Sequence, residues 1–90
     1  MTKDANAHLA KLHELPCVVH RYLYATPQKS PSVVHHPESV RDANSHYAGI
    51  VLCDDCHKQL HSMSRRGFER CTKLTELDML ALTIRAIREA

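Results

Sequence analysis

The spacing of apolar residues predicts a helix near each end of the chain. At the N-terminal end, residues 3–14 carry Leu9 and Leu12 three positions apart, which is a helical spacing. At the C-terminal end, Thr75 and Asp78 have the spacing of a capping box, which predicts that a helix begins there. Five apolar residues form a stripe along this helix that we expect to pack into the core, namely Leu77, Leu80, Ala81, Ile84 and Ile87.

The middle of the chain predicts short extended segments followed by a helix. Residues 17–25 are rich in β-branched and aromatic side chains, which favours an extended segment. Residues 32–36 and 48–52 predict two short strands. Asp54 or Asp55 can cap the helix that comes next. Helices around two strands indicate a small α+β fold.

Composition adds a chemical expectation to this outline. Ninety residues make one domain at most, and so short a chain buries a smaller share of its surface than a larger domain does. The aromatic core is thin, with no Trp and one Phe. No apolar run has signal-peptide or membrane length, so we expect a soluble, cytoplasmic protein. In that compartment four Cys, beside eight His, are interpreted as metal ligands rather than disulfides.

Two pairs of potential ligands, each separated by two residues, predict a structural zinc site. Cys17 and His20 form the first pair, and Cys53 and Cys56 form the second. This spacing lets a tight turn direct both side chains onto one tetrahedral ion. Cys71 is an alternative to His20, although its place in a predicted helix favours a small buried side chain. Zinc would supply folding free energy that the modest core lacks.

Four histidines predict a second metal site with a base beside it. His35 and His36 are neighbours at the end of a predicted strand, so their rings should point to opposite faces. His57 and His61 are four apart on a predicted helix and share one face. We assign His35, His57 and His61 to a divalent metal that stabilises charge on a phosphate. We assign His36 as the general base that takes a proton from the attacking water.

Positive charge is concentrated in one segment, although the net charge is only +2 with neutral histidines. Arg65, Arg66, Arg70 and Lys73 fall within nine residues and are opposed there only by Glu69. Such a cluster can contact phosphates, or it can be a solvated helix face, which charge alone favours. Because the predicted metal site is adjacent, we assign Arg65, Arg66 and Arg70 to DNA binding.

The order CxxH, HH and CxxCHxxxH resembles the HNH (ββα-metal) endonucleases with a zinc-knuckle support. Several stretches are similar to the phage recombination-enhancement, RecA-dependent nucleases, namely residues 8–19, 35–53, 64–69 and 76–85. The resemblance covers nearly the whole chain and implies one nuclease domain over residues 1–90. It implies a ββα-metal core with a zinc knuckle and flanking N- and C-terminal helices.

The same resemblance implies an activity and its cofactors. The expected function is hydrolysis of DNA phosphodiester bonds, linked to recombination and encoded by a phage or prophage. The expected cofactors are structural Zn²⁺ and catalytic Mg²⁺, Mn²⁺ or another divalent ion. DNA is the expected partner, and a recombinase filament is a further one by resemblance only. In the family's pattern His35, His57 and His61 look like metal ligands and His36 looks like the general base.

The chain departs from the family's pattern at a few positions. Ala48 stands near the place of the middle Asn of the HNH name, which usually braces the loop that carries the base. His20 stands where the family often has Cys, and Cys56 where the recombination group frequently has His. The short spacing between His57 and His61 resembles the HNH domains of bacterial DNase toxins.

Two other functions fit part of the pattern. One is a degenerate HNH domain that binds DNA or protein as a non-catalytic zinc module, which the missing Asn favours. Retention of both His35 and His36 favours the enzyme instead. The other is a small transcription regulator, which would need a recognition helix with base-reading side chains, and no clear helix-turn-helix signal is found. The predicted function is therefore the endonuclease.

Overall fold

A two-stranded antiparallel sheet lies among helices in the computed structural model, which describes residues 2–90 except the side chain of Ala43. Strand β1 (Ser32–His35) pairs with strand β2 (Ile50–Cys53). Both strands lie where the sequence predicts them, and the small α+β class is confirmed. Every residue of β2 is buried. This strand therefore has core packing on both of its faces.

Helix α1 (Lys3–His13) covers one side of the sheet, as its apolar spacing predicts. The hydroxyl of Thr2 caps the helix by accepting a hydrogen bond from the backbone N–H of Ala5, at 3.1 Å. Leu12 is fully buried and packs in one cluster with Val51 of β2. This contact fixes the first helix against the second strand.

Residues 18–24 are helical, so the prediction of an extended segment over residues 17–25 is wrong. The backbone N–H of Arg21 donates to the carbonyl of Cys17 at 3.0 Å, and His20–Tyr24 form a short π-helix. Val18 and Val19 are fully buried in the core. The β-propensity of these side chains is a weak preference, and packing against the rest of the core overrides it. The resulting tight turn places Cys17 at its start.

Helix α2 (Asp54–Thr72) follows β2 without a loop. Its N-cap is Cys53 rather than either predicted aspartate, because the Cys53 sulfur accepts the backbone N–H of Cys56. The helix is broken at Ser64, whose φ of 68° and ψ of 164° are not helical. The Ser64 hydroxyl accepts the backbone N–H of Gly67 at 3.4 Å and so begins the second half of α2.

Helix α3 (Glu76–Glu89) begins with the predicted capping box between Thr75 and Asp78, which is confirmed. The predicted apolar stripe is confirmed only in part: Leu80 and Ile87 pack against the core, whereas Leu77, Ala81 and Ile84 are exposed. The buried face is instead formed by Met79, Thr83 and Ala86.

A hydrogen bond to the sheet accounts for this rotation of α3. The Thr83 hydroxyl accepts the backbone N–H of Val51 at 3.2 Å. It also donates to the carbonyl of Met79 at 2.9 Å. The N–H of Val51 is buried, and a buried backbone donor without a partner is costly. A hydroxyl on the inner face of α3 supplies that partner, so the polar Thr83 faces inward.

Gly49 allows a close approach where the chain enters β2. A Cβ at this position would lie 2.6 Å from Val34 Cγ1 and 2.9 Å from Leu12 Cδ1. Both distances are shorter than real carbon–carbon contacts, so the absence of a side chain is required here. Among residues 2–90, no helix combines the length and the apolar character that crossing a membrane requires.

Candidate metal centres

Three buried thiols converge where the turn after α1 meets the junction of β2 and α2. The sulfur atoms of Cys17, Cys53 and Cys56 all lie within 4.8 Å of one another. Cys17 begins the helical turn, Cys53 ends β2 and Cys56 lies in the first turn of α2. The cluster therefore joins two segments that are more than thirty residues apart in the sequence. These three thiols could hold a metal ion.

The electrostatics of this cluster favour a thiolate. A hydrogen bond from the Cys56 thiol lowers the pKa of Cys17 to about 5, although burial acts in the opposite direction. Backbone N–H groups, led by that of His20, lower the pKa of Cys17 further. The hydrogen bond to Cys17, together with burial, raises the pKa of Cys56 far above its usual range. One sulfur is thus prepared to bind a soft cation, since the thiolate is the form that binds metal.

The predicted fourth ligand, His20, is not gathered with the three thiols. Its Nδ1 atom lies 3.1 Å from the hydroxyl oxygen of Thr26, and its ring packs edge-on against Tyr24. His20 and Cys56 line the same cavity, which has a volume of about 590 Å³. Its role as a zinc ligand stays a prediction. Cys71 is exposed, so the expectation of a small buried side chain is wrong there.

Three histidines form a second group, which adjoins the thiol group along α2. Ligand atoms of His35, His57 and His61 lie within 4.8 Å of one another. His35 ends β1 and is buried, whereas His57 is half-buried and His61 is exposed on successive turns of α2. The structure thus brings together the three residues that the spacing assigns to a divalent metal.

The separation of two of these rings fits a shared ion. The Nε2 atoms of His57 and His61 lie 3.1 Å apart. Two imidazole nitrogens bound to one ion at about 2.0–2.1 Å lie roughly 2.9–3.4 Å apart for octahedral to tetrahedral angles. Burial lowers the pKa of His57, and the nearby His61 and His35 lower it further. A lowered pKa keeps the ring neutral, which is the form that binds metal.

His36, the predicted base, lies just beyond β1 and is exposed. It is not part of the three-histidine group. Its ring packs edge-on against His46, with 5.9 Å between the ring centroids. Partial burial lowers the pKa of His36, and the neighbouring His46 and His35 lower it further. A neutral imidazole can accept a proton, so the chemistry of this residue fits the role of a base.

A cavity of about 410 Å³ adjoins the three-histidine group. His35 and His61 form part of its wall, and Arg65 and Arg66 form another part. The break at Ser64 directs the chain so that both arginines border this cavity. Arg70 borders a different cavity further along α2, together with Arg66 and Lys73. Two of the three arginines assigned to DNA therefore lie beside the candidate metal site.

Comparisons of the chain with protein-family models, with curated proteins and with solved structures found no match. The resemblance to the HNH endonucleases, the nuclease domain over residues 1–90 and the roles assigned to each residue therefore stay predictions. What the structure adds is the spatial grouping of the ligands.

Two residues of the candidate site are not foreseen by any spacing in the sequence. Glu76 places its Oε2 atom 2.7 Å from His35 Nε2, across 41 positions of sequence. His46 packs against His36, and its Nδ1 atom is buried without a hydrogen-bond partner within residues 2–90. Only the acidic character of the first turn of α3 hints at Glu76, because such residues favour a helix N-terminus.

Proposed function

We propose that this protein is a divalent-metal-dependent DNA endonuclease of the HNH kind, similar to the phage recombination-enhancement nucleases. The observation that carries this proposal is the convergence of His35, His57 and His61 beside a cavity bordered by two arginines. In the proposal, β1, β2 and the first half of α2 form the ββα-metal core. The flanking helices α1 and α3 support this core.

The proposed mechanism divides the work between the metal ligands and the basic residues. A divalent ion, when bound, supplies charge stabilisation at the scissile phosphate. His35, His57 and His61 would hold this ion, and a set of three protein ligands would leave positions for water and a phosphate oxygen. Arg65 and Arg66 border the same cavity and would hold neighbouring phosphates through their guanidinium groups.

His36 acts as the general base in this proposal. It follows His35 directly, so it remains close to the site without belonging to the ligand group. Its lowered pKa keeps the ring unprotonated at neutral pH, ready to accept a proton from the attacking water. His46 packs edge-on against the ring and restricts its orientation. In the absence of the usual Asn near Ala48, His46 is the residue best placed to brace the base.

The thiol group acts as the structural centre in this proposal. Cys17, Cys53 and Cys56 would hold zinc, with His20 as the fourth ligand after its ring turns away from Thr26. Zinc at this place would join the turn after α1 to the start of α2. That cross-link stabilises a chain whose apolar core is small.

The test of the proposed function is the nicking of supercoiled plasmid with Mg²⁺ or Mn²⁺. We expect nicking by the wild type and a loss of about a hundred- to ten-thousand-fold in His36→Ala, as for removal of a general base. His13→Ala is the matched control, since His13 is an exposed histidine at the end of α1. Equal nicking by His36→Ala and His13→Ala would refute the assignment of the base.

The second candidate function is a non-catalytic zinc module that binds DNA or protein. It is favoured by the basic cavity around Arg66, Arg70 and Lys73, which the three histidines do not border. No nicking by the wild type with several divalent metals and DNA forms would select this function. DNA binding with a salt dependence that weakens in Arg65, Arg66 and Arg70 alanine variants would then identify its partner. A recombinase filament as partner rests on the resemblance alone.

A further inference from the structure

A partly buried carboxylate contacts one of the three histidines. Glu76, the first residue of α3, places its Oε2 atom 2.7 Å from His35 Nε2. The side chains of His35 and Glu76 are only 8% and 14% exposed. Glu76 is not a member of the group whose ligand atoms lie within 4.8 Å of one another. The carboxylate therefore interacts with the candidate metal site through His35 rather than as a fourth member of the group.

We propose that Glu76 is a positioning residue that selects the tautomer of His35 and so presents its Nδ1 atom to the metal. This inference rests on the metal site of the proposed function. A neutral imidazole has one N–H donor and one unprotonated nitrogen. An ionised carboxylate only accepts hydrogen bonds, so the proton of His35 resides on Nε2. The lone pair of Nδ1 is then free to bind a divalent ion.

The second oxygen of Glu76 has its own partner. Arg65 Nη1 lies 3.5 Å from Glu76 Oε1, whereas His35 Nε2 contacts the other oxygen, Oε2. This ion pair places a positive charge beside the carboxylate and so offsets part of the cost of its partial burial. Ser64 breaks α2 immediately before Arg65, so the pair links the second half of α2 to α3. The carboxylate is thereby held in place before any metal binds.

Such a hydrogen bond has a known effect on a metal-binding histidine. A carboxylate that accepts the second ring N–H fixes the orientation of the ring and makes its other nitrogen a stronger ligand. Loss of such a partner typically weakens metal binding by about ten- to a hundredfold. His35 is the ligand contributed by β1, whereas the other two come from α2. The orientation of the His35 ring therefore decides whether the ligand from β1 can bind the same ion as the two ligands from α2.

The first experiment measures the tautomer of His35 directly by long-range ¹H–¹⁵N correlation spectra, without added divalent metal. We expect Nε2–H in the wild type and a mixture of tautomers in Glu76→Ala. Glu38→Gln is the matched control, because Glu38 borders the same cavity but its side chain makes no hydrogen bond or ion pair within residues 2–90. A proton on Nδ1 in the wild type would overturn the proposal.

The second experiment measures Mn²⁺ affinity by calorimetric titration. We expect affinity to fall about a hundredfold in Glu76→Ala and about tenfold in Glu76→Gln, which keeps an acceptor but loses the charge. Glu38→Gln should bind within about twofold of the wild type, since its side chain makes no hydrogen bond or ion pair with the three histidines within residues 2–90. Equal affinity in the Glu76 and Glu38 variants would overturn the proposal. Glu76→Gln also serves if Glu76→Ala does not fold.

A third measurement separates positioning from direct coordination. Co²⁺ bound at the histidine site should have the same ligand-field spectrum in the wild type and in saturated Glu76→Gln. A spectrum that shows the loss of one ligand would make Glu76 a direct ligand and overturn the proposal. None of these readouts uses DNA. A protein that meets all three expectations but nicks no DNA would therefore contradict the proposed function alone.

Discussion

The hydroxyl of Thr83 is expected to stabilise the fold more than a methyl group in the same place would, and Thr83→Val tests this. Valine has nearly the same shape, so the substitution replaces one hydroxyl by one methyl group. It leaves the buried backbone N–H of Val51 without the acceptor that lies 3.2 Å away. A simple apolar core would tolerate or favour this change, because Thr83 is fully buried. The hydrogen bond predicts that Thr83→Val lowers the free energy of unfolding, whereas a simple apolar core predicts no change or an increase.

The magnitude follows from the two effects of Thr83→Val. A buried donor left without a partner costs about 1–3 kcal/mol. One more buried methyl group offsets about 0.8 kcal/mol of this loss. The free energy of unfolding should therefore fall by roughly 0.2–2.2 kcal/mol. For a domain of this size the upper value corresponds to a decrease in Tm of roughly 9–18 °C.

The assay is urea unfolding followed by circular dichroism, with amide hydrogen exchange at Val51 as the local readout. Thr83→Ser is the control, since it keeps the acceptor and loses only the methyl group. Faster exchange at Val51 is expected in Thr83→Val and not in Thr83→Ser. If Thr83→Val is as stable as the wild type and Val51 exchanges equally slowly, the hydroxyl does not determine the orientation of α3.

Three further predictions concern the metal centres and the core. Cys53→Ser should remove bound zinc and unfold the chain, because the thiols join distant segments. Cys71→Ser is the control and should retain the zinc, since Cys71 is exposed. Metal analysis measures the zinc content and circular dichroism measures the folding of both variants. Gly49→Ala should lower the free energy of unfolding by about 1–3 kcal/mol through overpacking. Gly67→Ala should change it by less than about 1 kcal/mol, because the higher helix propensity of alanine opposes a 3.3 Å approach of the new Cβ to Met63 Cβ. A urea titration in which Gly67→Ala destabilises the chain as much as Gly49→Ala would contradict this. With zinc retained by the thiols and no ion at the histidine group, the free energy of unfolding should decrease as pH falls below 6.5, because the folded chain holds the pKa of His57 below that value and the unfolded chain takes up the proton first. His57→Gln should flatten this dependence in denaturation measured from pH 7.5 to 5.

Local patterns predict the two strands, the two terminal helices and part of the grouping of the candidate ligands. The two strands follow from short apolar runs, and the start of α3 follows from the capping box. The grouping of His57 and His61 follows from helix periodicity alone. In each case, residues a few positions apart determine the geometry, so a single sequence contains the information.

Contacts between distant segments account for what the sequence does not predict. The helical turn around Val18 and Val19 forms because both side chains enter the core, against their β-propensity. The buried face of α3 depends on a hydrogen bond between Thr83 and a strand 32 positions earlier. Glu76 reaches His35 across 41 positions. None of these pairs has a spacing that could reveal it, because each depends on the tertiary arrangement of the elements.

One peptide bond connects the two candidate centres, since Cys56 belongs to the thiol group and His57 to the histidine group. Consecutive positions of an α-helix differ by about 100° in direction, so the two side chains point to separate ligand sets. A cation held by the thiols would fix the first turn of α2 and thereby reduce the conformational entropy that the histidines lose on binding their own ion. We therefore expect the order of loading to matter. The thiol centre should bind its cation first. Oxidation of the thiols would release that cation and should then weaken ion binding at the histidine group, which has no sulfur ligand.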